Sequence, residues 1–380
     1  MDISIISPAS RIERIEKSPI PVRRYRHAGK NARLGDHGID INFPCVRIVS
    51  EGVNGFGWSL RLTEEEAATY VDMRIIDFFD QEGLIKDEYV NIEYALLDWL
   101  GNVSKKPVYK LMAGDWFDCG PSLSVPCYDS TLYFDELHIE DDELAAEFIA
   151  NEALEGQARG HTAFKIKIGR GNMHMPLKEG MRRDILIVKK VREAVGSDAP
   201  LMVDANNGFN VNLTKEFLAA TADCRLYWIE EPFFEDSVLY NNVREWTRDN
   251  GLNILFADGE GASLPRVLEW AEQGVIDVIQ YDINFYGFSK WIKLGRRLDK
   301  AGVLSAPHNY GCFHGNFTAS HLFTAIKNYV MAEMDECISP GIEHAYKVKD
   351  GRLYVPDVPG FGLSIDTERF FTPGSFLFSI

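Results

Sequence analysis

The sequence predicts an α/β protein whose main part is a (β/α) barrel. Short apolar runs succeed one another from about residue 124, and most are spaced by about two dozen residues, the length of a strand, a helix and two loops. The eight runs are centred near Val125, Ile166, Met202, Trp228, Leu255, Ile279, Leu304 and Met331. Several of them end on acidic residues, as expected where the strand ends of a barrel share one face.

Residues 1–122 mix strand and helix patterns, and we predict that they form an α+β capping domain. Residues 45–49 and the glycine-rich residues 52–58 are typical of a β-hairpin. Residues 63–66 form a capping box that begins a helix. A second helix, over residues 92–101, has apolar side chains at helical spacing and is predicted to end near its glycine.

The barrel is predicted to occupy residues 123–345 and to be followed by a tail, residues 346–380. Turn residues dominate residues 350–362, and we expect the tail to pack back against the capping domain. One interval between the apolar runs is longer than the others because of residues 170–180. This segment follows a strand end and should lie at the barrel mouth, where it would shape the substrate pocket.

Composition and charge exclude several classes of partner. The formal net charge of −17 argues against nucleic acid and against an anionic membrane surface. The amino terminus lacks the apolar core of a signal peptide, and there is no apolar run of about 20 residues that could span a membrane. The six cysteines are scattered without C-x-x-C pairing, which is typical of reduced thiols. We therefore expect a cytoplasmic protein with no nucleic-acid or membrane partner.

Three acidic residues, Asp204, Glu230 and Glu260, follow successive apolar runs. Each alone could be explained as the N-cap of a helix, but three in succession favour a metal site. Oxygen ligands at this density suit Mg²⁺ or Mn²⁺ better than zinc. Glu231 and Asp258 remain alternative ligands, because strand alternation does not establish which side chains face inward.

Lys165 and Lys167 alternate along one strand, which places both amines on the same face. In a barrel that face points inward, where an unpaired lysine is too unfavourable to be incidental. Close to a metal cation, the ammonium form of Lys167 would be disfavoured. This lysine could then act as a base that removes a proton from carbon.

Asp282 and His308 end the sixth and seventh runs and should lie on adjacent strands. A carboxylate beside an imidazole fixes its tautomer and raises its pKa, giving a second proton-transfer group on the wall opposite Lys167. Glu333 ends the eighth run and should also face the mouth, where it could bind a substrate oxygen or hold a loop.

With these residues in view, the chain resembles the enolase superfamily, in the mandelate racemase subgroup. The resemblance covers nearly the whole chain. It rests on residues 92–101 and 107–114, on the K-x-K, D-x-N, E-E-P and G-E clusters, on the Asp and His strand ends, and on residues 356–362. It implies a barrel of the modified TIM type whose cap is built from the N-terminal part and the C-terminal tail. This superfamily is known to use a Lys or His base with Mg²⁺ to stabilise an enediolate.

The resemblance also implies a role for each candidate residue. Asp204, Glu230 and Glu260 would bind one Mg²⁺ per subunit. Lys167 would be the base on one face of the substrate, and His308 paired with Asp282 would serve the other face. Lys165 would help neutralise the enediolate, Asn206 would contact the substrate carboxylate or the metal shell, and Glu333 would line the mouth. The substrate would be a small 2-hydroxy carboxylate, often an acid sugar, and the protein would be a homo-oligomer.

The predicted activity is that of a Mg²⁺-dependent acid-sugar dehydratase, a hydro-lyase that forms a 2-keto acid by eliminating the β-hydroxyl after α-proton removal. The hairpin at residues 54–58 and the basic residues 23–33 would close over the mouth and contact the distal end of the substrate. Three alternatives remain open. They are a racemase or epimerase that uses the same two groups, a Schiff-base aldolase with Lys165 or Lys167 as nucleophile, and a barrel that binds or regulates without turnover.

Overall fold

The computed structural model describes residues 3–261 and 263–380. The strands are β1 (Arg14–Ser18), β2 (Pro21–Ala28), β3 (Gly38–Asn42), β4 (Cys45–Ser50), β5 (Val53–Trp58), β6 (Leu123–Leu132), β7 (Phe164–Lys167), β8 (Leu201–Asp204), β9 (Trp228–Glu230), β10 (Leu255–Asp258), β11 (Val278–Ile279), β12 (Leu304–Ser305), β13 (Ala332–Met334), β14 (Cys337–Ile338), β15 (Ile342–His344), β16 (Lys347–Lys349), β17 (Arg352–Val355), β18 (Leu363–Ile365) and β19 (Phe378–Ser379).

The helices alternate with the strands in the central part of the chain. They are α1 (Glu64–Tyr70), α2 (Glu93–Ser104), α3 (Val108–Met112), α4 (Asp142–Ala158), α5 (Leu177–Val195), α6 (Val211–Ala220), α7 (Ser237–Asp249), α8 (Val267–Glu272), α9 (Ile283–Tyr286), α10 (Phe288–Ala301), α11 (Gly315–His321) and α12 (Thr367–Phe370). Short 3₁₀ helices cover Ile75–Phe78, Asp87–Tyr89, Ala222–Cys224 and Leu322–Thr324. Within the described ranges, no helix is long and apolar enough to cross a lipid bilayer.

The strands β6 to β13 form the predicted barrel. Neighbours from β6 to β12 pair in parallel and in sequence order, and β13 pairs in parallel with β6. A parallel bridge between Ser305 and Tyr329 joins β12 to the segment that leads into β13. Each predicted apolar run lies on one of these strands or directly beside it, so the prediction of a (β/α) barrel is confirmed.

Two apolar layers explain why the short barrel strands are buried on both faces. An inner layer fills the barrel and contains Tyr128, Ala163, Met202, Trp228, Ala257, Val278 and Ala306. The outer side chains of the same strands, such as Ile166 and Val203, belong to the larger core that also includes the surrounding helices. Lys165 pairs in register with Met202, and Lys167 pairs with Asp204. The charged side chains of Lys165, Lys167 and Asp204 therefore lie next to the apolar inner layer of the barrel.

The N-terminal part contains the predicted hairpin, β4–β5, in a sheet of order β19-β1-β4-β5. The capping box is present, because the backbone N–H of Glu66 donates to the hydroxyl of Thr63 at 3.2 Å. The second predicted helix, α2, continues to Ser104 and does not end near Gly101. A Cβ at Gly101 would lie 2.5 Å from the Cα of Gly360, so this glycine permits close packing with the tail instead of ending the helix.

The tail contacts both parts of the chain. β17 pairs antiparallel with β6 of the barrel, and β19 pairs antiparallel with β1. The backbone N–H of Phe361 donates to Asp98 on α2 at 2.8 Å. The division of the chain at residues 122 and 345 stays a prediction.

Candidate active site at the barrel mouth

The three predicted metal ligands lie together at the carboxyl ends of adjacent strands. Asp204 ends β8, Glu230 ends β9, and the two residues pair in register. Glu260 lies two residues beyond the end of β10. One carboxylate oxygen from each of the three lies within 4.8 Å of the others. Asp204 and Glu230 are fully buried, whereas the side chain of Glu260 is 22% exposed and is the one most accessible from the mouth.

The two alternative ligands have different surroundings. Asp258 accepts hydrogen bonds from the hydroxyl of Tyr240 at 2.5 Å and from the backbone N–H of Gly259 at 2.6 Å, so its carboxylate is occupied within the protein. Glu231 adopts a left-handed backbone conformation with φ of 40° and lies near the three carboxylates. Burial, and then the charge of Glu260, raises the pKa of Glu231 well above its ordinary value.

The two lysines pair with the carboxylates. The Nζ of Lys165 lies 2.8 Å from Oε1 of Glu230 and 2.7 Å from Oε1 of Glu333. The Nζ of Lys167 donates a hydrogen bond to Oδ2 of Asp204. Burial lowers the pKa of Lys167, but the charges of Asp204, Glu260 and Glu230 together raise it by more, so the pKa lies above its ordinary value. The expectation from the sequence, that the ammonium form is disfavoured, applies to a site in which a cation lies near Lys167, and it stays a prediction.

The opposite wall contains the predicted pair of Asp282 and His308. Oδ1 of Asp282 accepts the backbone N–H groups of Asn284 and Phe285 at 2.8 and 3.0 Å, which caps α9. Its Oδ2 lies 2.8 Å from Nδ1 of His308. The other ring nitrogen, Nε2, lies 3.5 Å from Oε2 of Glu260 and therefore faces the carboxylate group. Burial lowers the pKa of His308, but Glu260, Glu333 and Asp282 raise it to about 10.

The remaining predicted residues border the same group. The side-chain amide of Asn206 donates to Oδ2 of Asp204 at 3.3 Å, and its own carbonyl oxygen is buried with no hydrogen-bond partner in the described part of the chain. Glu333 accepts the backbone N–H of Asn309 at 3.0 Å in addition to its bond with Lys165. Glu333 therefore connects the eighth barrel strand with the loop that follows His308.

Two residues at the site were not predicted from the sequence. The side-chain amide of Gln280 donates to Oε2 of Glu230 at 3.0 Å, and the indole N–H of Trp228 lies 3.3 Å from the same oxygen. Both could have been identified by strand alternation. Gln280 precedes Asp282 by two residues and Trp228 precedes Glu230 by two, so each shares the inward face of a predicted ligand or base.

The charges at the mouth fit a divalent cation. We call Asp204, Glu230, Glu260, Glu333, Lys165 and Lys167 the acid-rich cluster, since it holds four carboxylates against two lysines. Oε2 of Glu260 and the side-chain oxygen of Asn206 are buried without a hydrogen-bond partner among the described residues. Buried oxygens with excess negative charge are the ligands that Mg²⁺ prefers.

A second cluster of metal-binding residue types lies elsewhere in the barrel and has a different charge balance. Asp129, His161 and Glu336 each offer an atom within 4.8 Å of the others. Arg159 lies between the two carboxylates, with N–O distances of 3.0 Å to Asp129 and 2.5 Å to Glu336. We call these four residues the balanced cluster. A guanidinium already occupies the position that a cation would take, so this cluster does not fit a metal.

Comparison with known proteins places this arrangement in a family. Residues 149–369 match the model of the family described as enolase C-terminal domain-like. The L-rhamnonate dehydratase of Saccharopolyspora erythraea is 26% identical over 302 residues, which cover 77% of this chain and 69% of that protein.

Two solved structures from Geobacillus sp. are more similar. A mandelate racemase/muconate lactonizing protein in complex with magnesium and tartrate is 44% identical, with a TM-score of 0.95, and the match covers 97% of this chain and 96% of that one. A galacturonate dehydratase in complex with D-galacturonate and 5-keto-4-deoxy-D-galacturonate is 43% identical, with a TM-score of 0.92 and 96% of both chains covered. Since the family model alone matches more than half of the sequence, the chain belongs to the enolase superfamily, in its mandelate racemase group.

Proposed function

We propose that the protein is a Mg²⁺-dependent acid-sugar dehydratase. The observation that supports this proposal most directly is that two proton-transfer groups border one group of carboxylates from different strands. Lys167 contacts Asp204, and Nε2 of His308 lies 3.5 Å from Glu260. A dehydratase needs both groups, because one proton must be removed from carbon and another must be delivered to the departing hydroxyl.

Asp204, Glu230 and Glu260 would hold the Mg²⁺. When bound, the ion stabilises the negative charge that develops on the substrate carboxylate as the α-proton leaves. Lys165 is placed to contribute a second positive charge, because it is fully buried and bonded to Glu230 and Glu333. Gln280 and Trp228 hold the carboxylate of Glu230 in position through hydrogen bonds.

Lys167 is the proposed base. It must be a neutral amine to accept the α-proton, and its bond to Asp204 favours the ammonium form. When Asp204 ligates a cation, less of its charge acts on Lys167, whose pKa falls accordingly. The base is therefore coupled to occupancy of the metal site.

His308 is the proposed acid. Burial lowers its pKa, but Glu260, Glu333 and Asp282 raise it to about 10, and the bond to Asp282, which is not a proposed metal ligand, favours the protonated imidazole that a proton donor requires. Asp282 bonds Nδ1, so Nε2 is the nitrogen that can deliver a proton. The C–H bond α to the carboxylate breaks toward Lys167, the β C–O bond breaks toward His308, and water leaves. The resulting enol becomes a 2-keto acid.

We infer that the substrate is a hexuronic acid, with D-galacturonate as the first candidate. Support comes from the galacturonate dehydratase that is 43% identical to this chain. The ligand named there, 5-keto-4-deoxy-D-galacturonate, has its keto group beside the C6 carboxylate and has lost the neighbouring hydroxyl. Loss of the proton at C5 and of the hydroxyl at C4 produces that pattern, which is the chemistry proposed for Lys167 and His308.

The test is a screen of mono- and diacid sugars with Mg²⁺, in which 2-keto acid is detected with semicarbazide. We expect keto-acid release from a hexuronic acid, its loss in EDTA and its recovery when Mg²⁺ is restored. Deuterium incorporation α to the carboxylate without keto acid would instead identify a racemase or epimerase. Covalent trapping of substrate by borohydride, with activity unchanged in EDTA, would identify a Schiff-base aldolase.

We further infer that the protein is a cytoplasmic homo-oligomer whose partner is this small acid and not nucleic acid or a membrane. The formal charge of −17 supports the last point, because nucleic acid and most cytoplasmic membrane surfaces are negative. Light scattering after size-exclusion chromatography measures the oligomeric state, and a mass equal to one chain of 43.0 kDa would contradict it.

A further inference from the structure

The positions of the site residues around the barrel indicate the direction in which a bound substrate extends. The three proposed metal ligands follow β8, β9 and β10, the third to fifth barrel strands. Lys167 ends the second strand and His308 follows the seventh. A sugar acid with its carboxylate at the metal ligands and its reacting carbons between Lys167 and His308 therefore points its distal end over β12, β13 and β6. We call this region the distal sector.

A cap residue, His37, lies over the distal sector. It belongs to the connection between β2 and β3, and its Nδ1 lies 2.6 Å from the hydroxyl of Tyr310, two residues after His308. The His37 ring is also 5.0 Å from the ring of Tyr133, which follows β6. Tyr133 in turn lies 5.8 Å from the Nζ of Lys167. The ring of Tyr133 therefore lies between His37 and the proposed base, Lys167.

One nitrogen of His37 is available for a ligand. Its Nε2 is buried and has no hydrogen-bond partner among the residues that the structure describes. A buried polar atom without a partner is unfavourable unless a ligand or water satisfies it. A substrate hydroxyl at the distal sector could bond this nitrogen, while Tyr310 holds the other one.

The charges at the distal sector are already compensated. Arg24 extends from β2 and binds both carboxylate oxygens of Asp335 at 3.2 and 3.0 Å, and both side chains are buried. Burial, Lys167 and Arg24 together lower the pKa of His37 to about 4, so its imidazole is neutral at physiological pH. A second carboxylate at the distal end of a diacid would therefore find, among these residues, no positively charged side chain that lacks a carboxylate partner. A neutral hydroxyl or ring oxygen would meet the imidazole and the phenol of Tyr310.

We propose that His37 and Tyr310 form a distal subsite that hydrogen-bonds the uncharged end of a hexuronic acid and disfavours a diacid such as galactarate. The proposal rests on the dehydratase function proposed above, because that function determines which end of the substrate lies at the metal. It assigns a cap histidine and a barrel tyrosine to substrate selection, with Tyr310 placed two residues beyond the proposed acid His308.

Calorimetric binding to the Mg²⁺-loaded Lys167→Ala protein tests the proposal without turnover. The ligands are D-galacturonate, galactarate and glycerate, a three-carbon hydroxy acid that lacks the distal end. Adding Tyr310→Phe should lower the affinity for galacturonate about tenfold, the effect of one lost hydrogen bond. It should change the affinity for glycerate less than about twofold. His37→Gln, whose amide can replace the imidazole bonds, should retain most of the affinity. Tyr354→Phe, at an exposed position on β17, is the matched control.

The outcomes separate this proposal from the proposed function. Equal weakening of galacturonate and glycerate would mean that the pair only holds the cap, and it would overturn the subsite. Galactarate binding as tightly as galacturonate would overturn the preference for an uncharged end. If the selective effect of Tyr310→Phe is found but the wild-type protein releases no keto acid, the dehydratase proposal fails while the subsite stands.

Discussion

Two buried clusters of charged residues in the barrel offer nearly the same metal-binding residue types but differ in charge balance. In the balanced cluster, Arg159 and His161 match the two carboxylates of Asp129 and Glu336. In the acid-rich cluster, Lys165 and Lys167 oppose four carboxylates, and the neighbouring His308 is matched by the carboxylate of Asp282. Burial of uncompensated charge is unfavourable, so the acid-rich cluster requires a further cation and the balanced one does not.

The comparison shows that the number of converging carboxylates is a weaker indicator of a metal site than the charge left uncompensated. Both clusters place three potential ligands within 4.8 Å of one another. Only in the acid-rich cluster do the cations come from lysines that a divalent ion can displace from the carboxylates. The first three predictions below concern the acid-rich cluster alone or set it against the balanced one, and the last concerns the balanced cluster.

The largest effect is expected for Lys167. If it is a base and not simply a counter-charge like Arg159, Lys167→Ala should lower the rate of dehydration about 10³-fold while Mg²⁺ binding is retained. Lys167→Arg keeps the positive charge but cannot accept a proton, so it should be equally inactive. Keto-acid release measures the rate, and calorimetry measures the metal.

Two observations would contradict this assignment. Substantial activity in Lys167→Arg would show that charge alone is needed at this position. Undiminished exchange of the α-proton with deuterium in Lys167→Ala would show that another group removes it. Lys349→Ala, which changes an exposed lysine on β16, serves as the control and should behave as wild type.

The second prediction concerns metal binding. Mg²⁺ should stabilise the folded wild-type protein and so raise its thermal midpoint. At a Mg²⁺ concentration 100 times the dissociation constant, the added free energy of unfolding is about 2.7 kcal/mol. Mutation of a residue that supports a metal ligand typically costs about 10- to 100-fold in metal affinity, and loss of the ligand itself should cost more. Glu260→Gln should therefore lower the Mg²⁺ affinity more than about 100-fold. Glu336→Gln in the balanced cluster should leave the Mg²⁺ response unchanged. An equal loss in both variants would refute the distinction between the clusters.

Much of the acid-rich cluster could be predicted because it follows from local rules. The ends of parallel strands lie on one face of a barrel, so Asp204 and Glu230 had to be neighbours once their strands were identified. The pairing of Asp282 with His308 follows from the same rule applied to the sixth and seventh strands. Their proposed roles in catalysis remain predictions.

The balanced cluster could not be predicted in this way. Asp129 lies within the first strand, and Glu336 lies just beyond the eighth. They meet only because β13 pairs with β6, a contact between segments about two hundred residues apart that spacing does not reveal. The bond between Lys167 and Asp204 was not predicted either, and it raises the pKa of Lys167 in the ion-free protein. Similarly, the end of α2 depends on a contact of Gly101 with the distant Gly360.

The third prediction compares the stability of the ion-free protein after one carboxylate is removed from each cluster. Glu336→Gln leaves Arg159 and His161 with one carboxylate and should lower the free energy of unfolding by about 2 kcal/mol, less than for a fully buried pair because Glu336 is 13% exposed. Glu260→Gln relieves repulsion among carboxylates and should change stability by less than about 0.5 kcal/mol, or raise it. Thermal midpoints in EDTA measure both, and a larger loss in Glu260→Gln would contradict the comparison.

The smallest effect is expected in the pH dependence of the balanced cluster. Burial lowers the pKa of His161, but the neighbouring Cys127, Asp129 and Glu336, whose Oε2 lies 3.3 Å from Nε2, raise it to about 10. Because the folded-state pKa lies above the unfolded value of about 6.5, the stabilisation is complete below that pH and is lost as the pH rises to about 10. His161→Gln should therefore flatten the decline of the thermal midpoint between pH 7 and 10, whereas His138→Gln, at an exposed histidine, should not. An unchanged slope in His161→Gln would mean that Arg159 alone balances the two carboxylates and that His161 is neutral in the folded protein.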